Sequence, residues 1–133
     1  MKRLKLIFVL FILLLSNNGC NDNPAIPEDQ RPIILSLTIF PQIIAMGDSA
    51  IVVCNAMDPD ADTLVYDWIS DGRVRIKGIP TYDHSEYNTF ENYLTIYPTH
   101  VATAPYDTLW VQCFARDRKG KSASGIVTAV VVQ

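Results

Sequence analysis

Histidine, basic residues and long apolar runs are scarce in this 133-residue chain, and each shortage argues against one kind of site or partner. Its only two histidines, His84 and His100, lack the spacing of zinc ligands, so a zinc site is not expected. Eleven basic residues against 14 acids argue against a nucleic-acid partner. Its longest apolar run, Leu6 to Leu15, falls short of the roughly 20 residues that cross a bilayer. No helical 3.6-residue periodicity follows that run, which leaves an all-β fold as the expectation.

The N-terminal 19 residues have the features of a secretory signal peptide. A basic start, Met1 to Lys5, precedes the short apolar run that ends at Leu15. A basic segment followed by such a run is typical of a chain marked for export. We therefore predict that residues 1–19 are removed and that the mature protein lies outside the cytoplasm.

The segment that follows, Ser16-Asn17-Asn18-Gly19-Cys20, resembles a bacterial lipobox. The resemblance implies cleavage before Cys20, lipidation of its thiol, and a membrane-anchored lipoprotein of the bacterial cell envelope. Asn17 stands where lipoproteins usually carry leucine, so a plain signal peptide with a free Cys20 remains the alternative. Loss of residues 1–19 removes three basic residues and no acids, which leaves a formal net charge of −6. Attachment would therefore depend on the lipid rather than on electrostatic attraction to anionic headgroups.

The rest of the chain divides into a tether and one domain. Residues 20–32 contain Pro24, Pro27 and Pro32 among polar residues, a composition typical of a semi-extended linker. Residues 33–133 alternate between short β-rich runs and turn signals, the pattern of an all-β sandwich or barrel. We predict an immunoglobulin-like (Ig-like), two-sheet antiparallel β-sandwich of about seven strands.

Two stretches carry a resemblance to a known family. Residues 56–68, with the turn Asp58-Pro59-Asp60-Ala61-Asp62 before Trp68, and residues 111–120 around Cys113 resemble PKD-type and bacterial Ig-like domains. The resemblance implies that the acidic turn joins two strands and that Trp68 belongs to the core. Ala61 stands where the family usually has glycine. The resemblance says much about fold and little about function.

The cysteines fit the same resemblance. With Cys20 lipidated, Cys54 and Cys113 remain as an even pair in an oxidising compartment, where disulfides persist. Their order around Trp68 is that of an Ig-type inter-sheet disulfide. Side chains alternate along a strand, and the residues that would share a face with Cys54, Trp68 or Cys113 are almost all apolar. We therefore predict a Cys54–Cys113 disulfide worth about 4 kcal/mol on the chain-entropy model.

The acidic turn is the one place that suggests a cation. Asp58, Asp60 and Asp62 alternate, and Asp117 in a later turn adds another carboxylate, so these four could offer oxygen ligands to calcium. The alternative is that aspartate and proline simply form the turn, with carboxylates accepting from nearby backbone N–H groups. No other cofactor is expected.

Two aromatic features are candidate contact sites. The connection 79–92 is long for a sandwich and carries Tyr82, Tyr87 and Phe90, which suit a sugar ring or a protein surface. The alternative is that one or two of these rings cap the open edge of the core.

The second feature follows from the alternation. If Trp68 and Cys113 point inward, then Ile69, Trp110 and Phe114 point outward and form an apolar patch of the kind that marks contact surfaces. The alternative is that the 79–92 connection covers this face.

No catalytic constellation emerges from the sequence. We expect a non-enzymatic, lipid-anchored Ig-like module that binds or scaffolds an envelope protein. The alternative is a carbohydrate-binding accessory lipoprotein that uses Tyr82, Tyr87 and Phe90 as stacking platforms. In either case one partner is the membrane, reached through the lipid, and the other is a protein or a glycan.

Overall fold

The described residues form two β-sheets. A computed structural model describes residues 27–79, 87–99 and 106–133, and within these ranges no helix is long and apolar enough to span a membrane. The strands are β1 (Ile33–Phe40), β2 (Ile43–Ala45), β3 (Ala50–Met57), β4 (Val65–Ser70), β5 (Val74–Ile76), β6 (Tyr87–Thr89), β7 (Tyr93–Pro98), β8 (Tyr106–Arg116) and β9 (Ser122–Val132).

The two sheets confirm the predicted sandwich and correct its details. The four-stranded sheet has the order β1-β3-β7-β5, and the five-stranded sheet has the order β2-β9-β8-β4-β6. Pairing is antiparallel except for β2, which runs parallel to β9. The described residues make nine strands rather than about seven. Three of them, β2, β5 and β6, are three-residue edge strands, and short edges offer little backbone for pairing with another chain.

The core lies between the two sheets and follows the two-residue alternation of the strands. Val52 on β3, Trp68 on β4 and Val111 on β8 are completely buried. The rings of Tyr66 and Trp68 stack with centroids 6.4 Å apart. Alternation therefore selects the buried face of each strand, as the sequence pattern predicted.

Gly125 permits a close approach between the sheets. It pairs with Cys113 on the neighbouring strand, while Leu37 of the other sheet pairs with Cys54. A Cβ added at Gly125 would lie 3.3 Å from Cδ2 of Leu37, tighter than ordinary contact. The bare backbone thus lets Leu37 pack beside the two cysteines.

One end of the sandwich, here called the turn end, holds the 58–64 and 117–121 connections. Strand register places them together, because Ile33 pairs with Met57 in one sheet and Val65 pairs with Arg116 in the other. Ala61, at the position where the resembled PKD-type pattern has glycine, adopts a φ of 60°, in the left-handed region that glycine occupies at least cost. The alanine therefore takes a backbone conformation that glycine usually fills.

The opposite end is closed by an ion cluster. The Arg73 guanidinium donates to both oxygens of Asp71, at 2.9 and 2.6 Å, and also to Asp107. It reaches the Thr108 carbonyl at 3.0 Å as well. Because Asp107 and Thr108 belong to β8, these contacts fix the β4–β5 turn to the central strand of the five-stranded sheet.

Candidate functional site

Two predicted site residues lie outside the described ranges. They are Cys20, which follows the predicted signal peptide, and Tyr82. Lipidation of Cys20 and the part that Tyr82 plays in binding therefore stay predictions.

Cys54 and Cys113 come together in the core, from opposite sheets. Both are completely buried and are hydrogen-bonded neighbours, and the structure has them as free thiols. The hydrogen bond with Cys54 and burial raise the pKa of the Cys113 thiol. Cys113 pairs across the sheet with Trp68, as the Cys-Trp-Cys order anticipates. The disulfide itself stays a prediction.

The acidic turn uses its carboxylates on the chain's own donors. Asp58 Oδ1 accepts from the backbone N–H groups of Asp60 and Asp62, at 2.8 and 3.3 Å. Asp117 Oδ1 accepts in the same way from Lys119 and Lys121, at 2.8 Å each. These bonds are the turn-forming role that the sequence left open as the alternative to calcium binding.

A lysine ammonium lies among the same acids. Lys119 Nζ is 2.9 Å from Asp62 Oδ2 and 2.8 Å from Asp29 Oδ1, and hydrogen bonds to these two carboxylates raise the pKa of the lysine. Over the described ranges, no group of three or more histidine, cysteine, aspartate or glutamate side chains is arranged to hold a metal ion. The calcium site therefore stays a prediction.

The last residues of the predicted tether contact the turn end, an arrangement here called the tether contact. The Gln30 backbone N–H donates to Asp60 Oδ2 at 2.6 Å, and the Gln30 side chain donates to Asp60 Oδ1 at 3.3 Å. Asp29 pairs with Lys119, and its carbonyl accepts from Lys121 Nζ. The chain is thus attached to the domain several residues before the first strand begins. No sequence signal indicated this, because the partners are 30 to 92 positions apart.

The predicted 79–92 connection contains a strand. Residues 87–89 form β6, which pairs with β4 and extends the five-stranded sheet sideways. Tyr87 lies opposite Trp68, points to the same inner face, and packs half-buried against the core. Phe90, just beyond β6, is 69% exposed. Tyr87 therefore caps the core edge, as one alternative expected, while Phe90 faces solvent and its part in binding stays a prediction.

The outer face of the five-stranded sheet carries the predicted apolar patch. Register places Phe114 opposite Asp67 and Gln112 opposite Ile69, on the face away from Trp68. Trp110 is 37% exposed, whereas Ile69 and Phe114 are half-buried. Across β9 the patch continues to Ile126, which pairs with Gln112 and is 63% exposed. We call Ile69, Trp110, Phe114 and Ile126 the tryptophan face. As a binding surface it stays a prediction, and β6 lies beside it rather than across it.

A buried carboxylate borders the tryptophan face. Asp67 points outward yet is only 1% exposed. Its Oδ1 accepts from the Asn88 side chain at 2.7 Å, and its Oδ2 pairs with Arg116 at 2.5 Å. Two neighbouring strands thus supply the partners that a buried charge requires.

The sequence reasoning missed the outer face of the four-stranded sheet. Phe40 is 80% exposed, and Ile51 and Tyr93 are each about half exposed. Register joins Phe40 to Ile51 and then Ile51 to Thr95 across adjacent strands. Alternation along β7, with Leu94 and Ile96 in the core, could have identified Tyr93 and Tyr97 as outward-facing.

Two shallow clefts lie along the β5–β7 side of that sheet. One, of about 150 Å³, is lined by Lys77, Tyr87, Thr89, Glu91, Tyr93, Leu94 and Thr95. The other, of about 460 Å³, is lined by Arg75, Tyr97, Pro98 and Thr99. The Tyr93 hydroxyl donates to the Glu91 carboxylate, which raises the pKa of the phenol. Each cleft thus places a tyrosine ring beside a basic side chain and a threonine.

Comparison with known proteins supports the fold. No protein-family model and no curated protein matches the chain. A solved structure described as "Structural basis for the promiscuous specificity of the carbohydrate-binding modules from the beta-sandwich super family" is similar, with a TM-score of 0.58 and 20% identity. The match covers 80% of this chain and 36% of that one, so the chain spans about a third of its length. At this identity the likeness shows that the chain adopts the β-sandwich fold of such modules.

Proposed function

We propose that this chain is a non-catalytic binding module of the bacterial cell envelope, held at a membrane by a lipid on Cys20, that docks a protein through the tryptophan face. The lipobox-like Gly19-Cys20 segment supports the anchor. The observation that carries the docking role is the exposure of Trp110 and Ile126 on adjacent strands of one outer face. Tryptophan is enriched among residues that dominate binding energy, and exposed apolar patches mark contact surfaces.

The test is capture of an envelope protein by affinity-tagged full-length chain after cross-linking. We expect the Trp110→Ala variant to capture at least tenfold less of the partner than the wild type does. The matched control is Phe40→Ala, which removes an even more exposed ring from the opposite outer face and should leave capture intact. Equal capture by wild type and Trp110→Ala would overturn the docking role. A thermal melt of each variant shows whether any loss reflects misfolding.

A second candidate function is carbohydrate binding, and one observation favours it. The smaller cleft brings the Tyr93 ring beside Glu91, Lys77 and two threonines. The apolar face of a sugar ring packs on aromatic rings, and its hydroxyls need such donors and acceptors. The similar solved structure, described as one of carbohydrate-binding modules, supports this candidate.

The test of this second candidate is a glycan array probed with the full-length chain. We expect binding that Tyr93→Ala weakens at least tenfold. Tyr106→Ala removes a more exposed tyrosine ring from the other sheet and serves as the control. A blank array, or signals that Tyr93→Ala leaves unchanged, would contradict carbohydrate binding at this cleft.

A further inference from the structure

The two clefts of the four-stranded sheet share one repeated arrangement. Arg75 pairs directly with Tyr97 across β5 and β7, and the Lys77 backbone N–H donates to the Thr95 carbonyl at 2.9 Å. Alternation along β5 turns Val74 and Ile76 toward the core, so Arg75 and Lys77 share the outer side with Tyr93 and Tyr97. We call these four residues the tyrosine edge.

The spacing of the tyrosine edge matches an extended ligand. Tyr93 and Tyr97 are four residues apart on one strand, which separates them by about 14 Å. Arg75 and Lys77 are two residues apart, or about 7 Å. A single sugar ring does not reach both tyrosines, whereas a short oligosaccharide lying along β7 does.

The tyrosine edge places basic side chains next to aromatic rings. Without the predicted signal peptide the chain carries a formal net charge of −6. Lys77 forms no ion pair within the described part of the chain, and Arg75 lies opposite Tyr97 on the same side of the sheet. The edge therefore brings two basic side chains beside two tyrosine rings on a domain that is acidic as a whole.

We propose that the tyrosine edge binds an extended acidic glycan, a polymer that contains uronic acids. The proposal rests on the second candidate function and adds the class of sugar. Tyr93 and Tyr97 pack on the apolar faces of the sugar rings. The Arg75 guanidinium has the planar geometry that pairs with a carboxylate through two hydrogen bonds, and Lys77 supplies a second positive charge. Glu91, at the Tyr93 end, repels a further carboxylate and so limits the acidic stretch on that side.

The experiment measures binding of detergent-solubilised full-length chain to a panel of oligosaccharides by calorimetry. The panel holds hexamers of galacturonic, guluronic, mannuronic and glucuronic acid, together with the methyl ester of each. The esters keep the sugar rings and remove the negative charges. We expect at least one acid hexamer to bind at least tenfold more tightly than its ester, and Arg75→Gln and Lys77→Gln each to reduce that preference. Arg118→Gln, an exposed basic residue at the turn end, should leave it unchanged.

Failure of the acidic-glycan proposal is distinct from failure of carbohydrate binding. Equal affinity for acids and esters, abolished by Tyr93→Ala, would overturn the acidic specificity and leave carbohydrate binding in place. If no acid hexamer binds but a neutral glycan binds on the array, the acidic specificity is likewise overturned and carbohydrate binding remains. No binding to any sugar would overturn both. Binding of acids that survives the double variant Arg75→Gln/Lys77→Gln would overturn the assignment to this edge.

Discussion

Cys54 and Cys113 are 59 positions apart in the chain and belong to different sheets. The two sheets are held together mainly by side-chain packing. We expect the two thiols to be joined by a disulfide in protein recovered from the cell envelope, because the predicted location outside the cytoplasm is oxidising. Closing a loop of this length raises the free energy of unfolding by about 4 kcal/mol in the chain-entropy model.

The measurement is denaturant unfolding of the Cys20→Ser variant with and without reductant, which isolates the two core cysteines. Reduction should lower the free energy of unfolding by about 4 kcal/mol. A Cys20→Ser/Cys54→Ala/Cys113→Ala chain should be insensitive to reductant. If intact-mass analysis finds two free thiols in envelope-derived protein, the disulfide prediction is wrong.

Residue patterns in the sequence predict the interior of this domain well. The burial of Cys54, Trp68 and Cys113 follows from one rule, alternation along strands, which needs no knowledge of distant partners. Ala61 shows what alternation does not predict. It adopts the left-handed conformation because the Asp58 carboxylate of the same turn bonds to the N–H groups on both sides of it.

At the scale of elements, β6 shows how a three-residue strand escapes detection. Residues 87–89 have no run of β-branched residues, and their pairing with β4 depends on Asp67 and Trp68, about 20 positions earlier. The outward side of the strand is held by Asn88, which donates to the buried Asp67 carboxylate at 2.7 Å. β6 therefore depends on a non-local polar contact that the sequence could not reveal.

Replacing this donor should weaken the domain measurably. We expect Asn88→Ala to lower the free energy of unfolding by about 1.5–3 kcal/mol, the range for hydrogen bonds to charged groups. Denaturant unfolding gives the value, and hydrogen exchange should show faster exchange in β6 than in β8.

Asn55→Ala is the matched control for that substitution. The Asn55 side chain also donates to a neighbouring strand, to Ser36 Oγ at 2.9 Å, but this bond is exposed and uncharged. It should cost less than about 1 kcal/mol. Equal losses in the two variants would contradict the special role assigned to the Asp67–Asn88 bond.

At the scale of the whole molecule, the tether contact fixes the end of the tether to the turn end of the domain. The Gln30 backbone N–H is the main reason that the pKa of Asp60 is lowered below its ordinary value. The contact therefore contributes its full stability above about pH 4, the pKa of an aspartate in the unfolded chain. That stability is lost as the pH falls through the lower pKa of Asp60 in the folded chain.

The Gln30 amide proton should report this transition. We expect its chemical shift to stay constant from pH 7 to about pH 4 and then to titrate as Asp60 protonates. In Asp60→Asn the acceptor remains but the charge does not, so the shift should be independent of pH over the same range. A Gln30 titration that persists in Asp60→Asn would contradict the contact.

The tether contact also shows why surfaces are harder to predict than cores. The sequence predicted the outward direction of Trp110 and Phe114 because they lie three positions before and one position after Cys113, and an odd separation along a strand places side chains on opposite faces. The tyrosine edge needed the pairing of Arg75 with Tyr97, and the tether contact needed the juxtaposition of three distant segments. Alternation gives the direction of a side chain but not its neighbours on other strands.

With a lipid on Cys20, the tether contact limits how far the domain stands from the bilayer. Asp29 lies nine positions after Cys20, and a fully extended chain of that length spans at most about 30 Å. The turn end must then remain within about that distance of the membrane. Targets of this domain would be those that come within a few nanometres of the lipid surface, because the tether does not let the domain reach farther.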